Sequence, residues 1–170
     1  MGTGYMLHCP QCNYQTLFFL GIGFAYPLVY AETQEKGNRG ELGEDIKEFF
    51  SEHPDGVIDP VPAIFQCEKC NQYDTAPLLR MYIPDETKLP RKKIDGSWSI
   101  AMPFHGEDYV APGGFEDNFI FYKEHMHSCK RCGGKMKFIA NENDIEKLKC
   151  PNCKDQFLDV EEYMTQTSHT

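Results

Sequence analysis

The spacing of apolar and polar positions changes several times along the 170 residues, and each change predicts an element. From Leu17 to Tyr30, "LFFLGIGFAYPLVY", 14 residues are mostly apolar, with breaks at Gly21, Gly23 and Pro27. This run predicts a strand that turns at the glycines and again at the proline. The polar stretch "ETQEKGNRG" behind it reads as an exposed loop. In "ELGEDIKEFFSEHP", Leu42, Ile46, Phe49 and Phe50 recur at helical spacing, acidic residues gather near the start and Pro54 closes the segment, which predicts a short amphipathic helix. After the turn "HPDG", "VPAIFQ" and "PLLRMYI" read as strands.

Residues 84–118 give a weaker pattern. Turns are expected at Asp95-Gly96 and at Pro112 to Gly114, within a connector that has some strand. "FIFYKEHMH", Phe119 to His127, reads as a strand. "KMKFI" alternates, with Met136 and Phe138 on one face, "NEND" reads as a turn, and "IEKLKC" reads as the returning strand of a hairpin.

Cysteine changes this picture most. All eight cysteines fall into four Cys-x-x-Cys pairs, Cys9/Cys12, Cys67/Cys70, Cys129/Cys132 and Cys150/Cys153. Partners in a disulfide framework are set by proximity in space and show no such uniformity, whereas a Cys-x-x-Cys turn aims two thiolates at one metal. A Zn²⁺ ion takes four such ligands in a tetrahedron, so two turns complete a site. Cys129 to Cys153 has the ligand spacing of a zinc site, and loop closure favours near partners. The expected pairing is therefore sequential, Cys9/Cys12 with Cys67/Cys70 and Cys129/Cys132 with Cys150/Cys153, the alternative being Cys9/Cys12 with a C-terminal pair. The residue after each pair tends toward positive φ, where glycine is free and asparagine tolerated; Asn13, Asn71 and Gly133 suit that position and Lys154 departs from it.

"CKRCGG" and "CPNC", with the hairpin between them, make residues from His127 to Leu158 similar to the zinc-ribbon family. The resemblance implies a structural zinc on Cys129, Cys132, Cys150 and Cys153; the remaining pairs, Cys9/Cys12 and Cys67/Cys70, with 54 residues between them, read as a second ribbon with the helix inserted. The expected fold is a small, β-rich α+β protein of two zinc-ribbon modules, residues 1–83 and 119–170, joined by 84–118. The family serves in transcription, translation and many protein assemblies, so the motif points to metal more than to function.

Other chemistries compete with this one. "CPQC" and "CPNC" also suit disulfide exchange, but a redox enzyme needs one such pair and not four. "CPQCNY" is similar to rubredoxin, and iron can substitute for zinc on four thiolates. His125 and His127 precede Cys129 and can extend a metal site, although as surplus ligands they read as exposed strand residues. "HGED", with His105, Glu107 and Asp108, can supply an acid and a base, yet no nucleophile motif accompanies it. "GIG" at Gly21 to Gly23 is too short for a nucleotide loop and reads as a strand bend.

The formal charge is −9, and about −13 with eight thiolates and two divalent ions. Such a chain disfavours phosphate backbones, despite the local "RKK" at Arg91 to Lys93 and the basic residues Lys130, Arg131, Lys135 and Lys137. The opening "MGTGYMLH" lacks the charged and apolar regions of a signal peptide, and Met6 stands where a myristoylation motif wants Ser or Thr. No apolar run is long enough to span a bilayer. A reducing cytoplasm is the expected location. The functional expectation is a non-catalytic protein whose two zinc sites present a surface to another macromolecule, foremost a protein. The alternatives are a nucleic-acid-associated regulator and a thiol-redox or metal-dependent enzyme.

Overall fold

A computed structural model describes residues 3–88, 91–94, 97–100, 110 and 114–164. Among them the strands and helices run β1 Thr3–His8, β2 Gln15–Leu20, α1 Tyr26–Arg39, α2 Glu44–Glu52, β3 Val57–Ile58, β4 Pro62–Cys67, β5 Tyr73–Pro77, β6 Arg80–Pro84, β7 Arg91–Ile94, β8 Ser97–Ile100, α3 Gly114–Asn118, β9 Phe119–Glu124, β10 Met136–Ala140 and β11 Asp159–Met164. Short 3₁₀ turns occupy Gly23–Ala25 and Glu142–Lys147. The chain divides into two units interleaved along the sequence, one of Met1–Ala25, Val61–Pro77 and Met126–Thr170, the other of Tyr26–Pro60 and Leu78–His125. The expected succession of 1–83, 84–118 and 119–170 thus meets units built from separated segments.

The first unit holds two three-stranded antiparallel sheets, β11-β1-β2 and β10-β4-β5. Alternation along β1 and β2 buries Tyr5, Leu7, Phe18 and Leu20, which pack with Ile64 of β4 and with Ala140, Ile145, Leu148 and Leu158. Leu7, Leu20, Ile64 and Leu148 are essentially inaccessible to solvent, and each such side chain contributes about 1.5–3 kcal/mol by leaving water. The returning strand expected at "IEKLKC" does not form. Ile145 and Leu148 enter the core from the 3₁₀ turn and its end instead, and β10 pairs with β4, Met136 opposite Cys67 and Lys137 opposite Gln66.

The second unit contains α1, α2, α3, the sheet β3-β6-β9 and the hairpin β7-β8. The expected helix is present as α2, burying Ile46, Phe49 and Phe50 against Ile58, Leu79 and Met81. The strand and loop expected from Phe24 to Gly40 are overturned, because α1 covers most of that span. Pro27 sits in its first turn, where a missing N–H costs little, and Glu32–Lys36 and Glu35–Arg39 pair one turn apart. "PLLRMYI" is broken at Leu79, buried with φ of 52°, where the chain leaves β5 for β6. β9 pairs with β6 and stops at Glu124, short of the cysteines. Gly114 opens α3, while the turn at Asp95-Gly96, Pro112, and His105, Glu107 and Asp108 lie outside the described residues.

Candidate metal centres

Each Cys-x-x-Cys turn is held by backbone hydrogen bonds that begin at its first cysteine. The Cys67 N–H donates to the Gln72 carbonyl, Cys129 N–H to Gly134 and Cys9 N–H to Tyr14, at 2.8–3.0 Å. The carbonyls of Cys67, Cys129 and Cys150 in turn accept from Asn71, Gly133 and Lys154, at 2.8–2.9 Å. Closing the turn this way drives the donor residue into the left-handed region, with φ of 60° at Asn71, 69° at Gly133 and 61° at Lys154. The expectation for the residue after the pair is met three times, and Lys154 adopts the conformation despite its side chain. Asn13 is not among the left-handed residues.

The eight thiols gather into two groups of four, with the ligand atoms of each group within 4.8 Å of one another. The grouping is crossed: Cys9 and Cys12 join Cys150 and Cys153, while Cys67 and Cys70 join Cys129 and Cys132. Sequential pairing is therefore wrong, and the alternative of Cys9/Cys12 with a C-terminal pair is the one that forms. Strand pairing supplies the cause. β10 follows the Cys129/Cys132 turn and lies antiparallel to β4, which ends at Cys67, so these two turns meet at one end of that ladder. β1 enters the Cys9/Cys12 turn and β11, pairing His8 with Asp159, follows the Cys150/Cys153 turn. Backbone pairing outweighs the modest entropic advantage of a shorter loop. A sequence signal was present in the proline, since the two Cys-Pro-x-Cys turns pair with each other and the two without proline do likewise.

Across the groups, Sγ atoms lie 3.8 Å apart for Cys9–Cys153, 3.6 Å for Cys12–Cys150, 3.4 Å for Cys67–Cys132 and 3.8 Å for Cys70–Cys129. A tetrahedron with Zn–S bonds of about 2.3 Å has edges of about 3.8 Å, whereas a disulfide places sulfurs at about 2.05 Å. None of the eight forms a disulfide. In each turn the first cysteine is buried and the second half-exposed. The geometry and the donor set fit one divalent metal ion in each group.

Electrostatics points the same way. The Cys70 N–H, foremost, with that of Lys69, brings the Cys67 thiol down to about 6 against the opposing effect of burial. Burial pushes Cys9 up, but the Gln11 N–H and the neighbouring thiols outweigh it and leave it at about 7. Their partners resist losing a second proton. The Gly134 N–H favours the Cys132 thiolate, yet Cys67 and burial raise that thiol to about 11, and contact with Cys12 raises Cys153 to about 12. Four thiolates cannot share so small a volume without a cation to balance them.

His125 and His127 stand outside both groups. His125 is half-buried, its Nδ1 2.9 Å from an Asp45 carboxylate oxygen, and the half-buried His127 ring packs on Phe65 with centroids 4.4 Å apart. Neither is the exposed strand residue expected. Gly134 was not singled out from sequence, although a Cβ there would lie 3.0 Å from Cys67 Sγ and 3.3 Å from Cys132 Sγ. Comparison with protein-family models, with curated proteins and with solved structures returned no match. The functional reading therefore rests on the cysteine geometry itself.

Proposed function

We propose that the chain is a non-catalytic zinc protein, in which two tetrathiolate centres of zinc-ribbon type hold the double-sheet unit together and present a surface to a protein partner. The observation that carries the zinc assignment is the set of Sγ separations, 3.4–3.8 Å, in two complete groups of four. Four thiolates fill a tetrahedral shell and leave no position for water or substrate, the arrangement of structural rather than catalytic zinc. Iron is the expected substitute when zinc is scarce. The binding role is supported by β2, an edge strand that exposes Leu17 and Phe19 at 45% and 55%. An edge strand with an apolar outer face can accept a strand or an apolar side chain from another protein. A reducing cytoplasm would keep the thiols available. The test is elemental analysis of protein purified without added metal, with affinity capture of partners by wild type and by a Leu17→Ser/Phe19→Ser variant. About two zinc ions per chain and a partner lost by the variant are expected. Four disulfides, or one metal ion, would defeat the reading.

A further inference from the structure

We propose that the cleft beside the Cys150/Cys153 turn is a binding site for a nucleotide, its base against the cleft wall and its phosphate at the lysine rim. The cleft has a volume of about 510 Å³, within the range of small-molecule sites, and belongs wholly to the unit that holds both metal centres. Its lining combines the apolar Tyr73, Ile139 and Pro151 with Gln66, whose amide N–H donates to the Asn71 carbonyl at 3.0 Å, and Asn71 itself. A planar heterocycle needs such a wall, apolar for its faces and carrying donors and acceptors for its edge. Tyr73 is fixed there by its hydroxyl, which donates to the Lys149 carbonyl at 2.8 Å, and by edge contact with Phe18.

The lining also includes Leu148, Cys150 of the metal centre and three lysines, Lys147, Lys149 and Lys154, with no carboxylate among them. Lys147 is held by Asp144, so Lys149 and Lys154 are the main cations. The Lys149 ammonium lies 5.4 Å from the Phe157 ring centroid, a contact that holds an exposed charge in place. Lys137, opposite Gln66 in the β10–β4 ladder, adds an exposed cation next to the lining.

Two observations separate this cleft from an ordinary basic surface. Lys154 adopts φ of 61° with its side chain exposed. Glycine would hold that backbone without strain, and an exposed side chain returns little packing, so the strain is explained if the ammonium has a task at the rim. The other is the distribution of charge. The unit with the cleft carries eight Lys and Arg against nine Asp and Glu, the other unit nine against seventeen. With eight thiolates and two divalent ions counted, the first unit stands at about −5 and the second at about −8, so the larger share of the acidity that argued against phosphate binding belongs to the second unit.

The test uses the zinc-loaded full chain and a fluorescein-labelled hexathymidylate, followed by anisotropy at about 50 and about 200 mM salt. Lys149→Gln/Lys154→Gln should weaken binding at least about tenfold and flatten the log–log salt dependence by about one unit per lysine removed. Zinc content should stay at the wild-type value. Lys154→Gly should raise thermal stability yet weaken binding, which separates ligand contact from a role in folding. Adenosine monophosphate that competes at similar concentration identifies a free nucleotide as ligand, and failure to compete identifies a nucleotide within a strand. No binding of either probe, or binding indifferent to both variants, overturns the proposal. Loss of zinc from the double variant also overturns it, because the lysines would then serve to balance the thiolate centre.

Discussion

The Sγ atom of Cys12 lies 3.6 Å from that of Cys150, although 138 residues separate them in the chain. The contact nests one four-thiol group within the other along the sequence, since the group built on Cys67, Cys70, Cys129 and Cys132 falls wholly between Cys12 and Cys150. Nesting makes a prediction that sequential pairing does not. Cys12→Ser/Cys150→Ser strikes one centre twice and should cost one zinc ion, whereas Cys12→Ser/Cys132→Ser strikes both centres and should cost two. Sequential pairing gives two ions lost from the first variant. Elemental analysis of the two proteins decides the matter. A structural zinc site contributes apparent binding energy on the order of 10–16 kcal/mol to folding, so under the proposed zinc assignment each loss should also lower the unfolding temperature sharply. His125→Ala and His127→Ala should leave zinc content unchanged.

Gly133 and Gly134 should respond differently to alanine. Gly133 has φ of 69° with open space around a Cβ, so alanine there meets only backbone strain, about 1–2 kcal/mol, and should keep the metal. At Gly134 a Cβ would stand 2.8 Å from the Lys69 Cβ and 3.0 Å from Cys67 Sγ. That methyl group can be accommodated only by moving a ligand turn. Gly134→Ala should therefore release zinc to a competing chelator at lower chelator concentration than wild type, and Gly133→Ala should match wild type.

What the sequence made legible followed from local chemistry. The eight cysteines that gather into two groups were visible because Cys-x-x-Cys is a local turn, and α2 was visible because Ile46, Phe49 and Phe50 recur at helical spacing. The positive φ of Asn71 and Gly133 follows from the same tight turn. The pairing of the turns was not legible, because it depends on β4 meeting β10 and β1 meeting β11, contacts between segments far apart in sequence. α1 was obscured by its composition. Its polar half resembles a loop, and its stability draws on pairs such as Glu32–Lys36 and on burial of Tyr26 and Tyr30, which are spaced one turn apart. The break at Leu79 gave no warning either, since leucine is an uncommon choice for a left-handed position.

Tyr5 of β1 donates a hydrogen bond to Glu142 at 2.6 Å, joining residues 137 apart in sequence. Burial, and then the Glu142 carboxylate, push the Tyr5 phenol up to about 12. A folded-state value above the unfolded one means that the neutral phenol is favoured by folding. Its contribution is fully present below about pH 10 and is lost as pH rises through about 12. Tyr5→Phe should cost about 1.5–3 kcal/mol near neutral pH, the range for a hydrogen bond to a charged group. The difference from wild type should shrink in alkaline solution. Urea unfolding across a pH series measures both, and a constant difference from neutral to strongly alkaline pH would remove the hydrogen bond as its cause.

Gly37 offers a test of packing in the second unit, because there the usual effect of alanine should reverse. Replacing a glycine within a helix by alanine ordinarily stabilises by about 1 kcal/mol through backbone entropy. Gly37 lies in α1, and a Cβ built on it would stand 2.6 Å from a Phe50 ring carbon and 3.0 Å from an Ile46 methyl group. Both neighbours belong to the buried face of α2, Ile46 with no exposed surface and Phe50 with 6%. Neither can turn aside without disturbing the cluster it shares with Phe49, Ile58, Leu79 and Met81. Overpacking of this kind typically costs about 1–3 kcal/mol, more than the entropy gain returns. Gly37→Ala should therefore lower stability in urea unfolding while the protein keeps its full zinc content, since all eight thiols belong to the other unit. A stabilised variant would mean that α1 and α2 are not in this close contact.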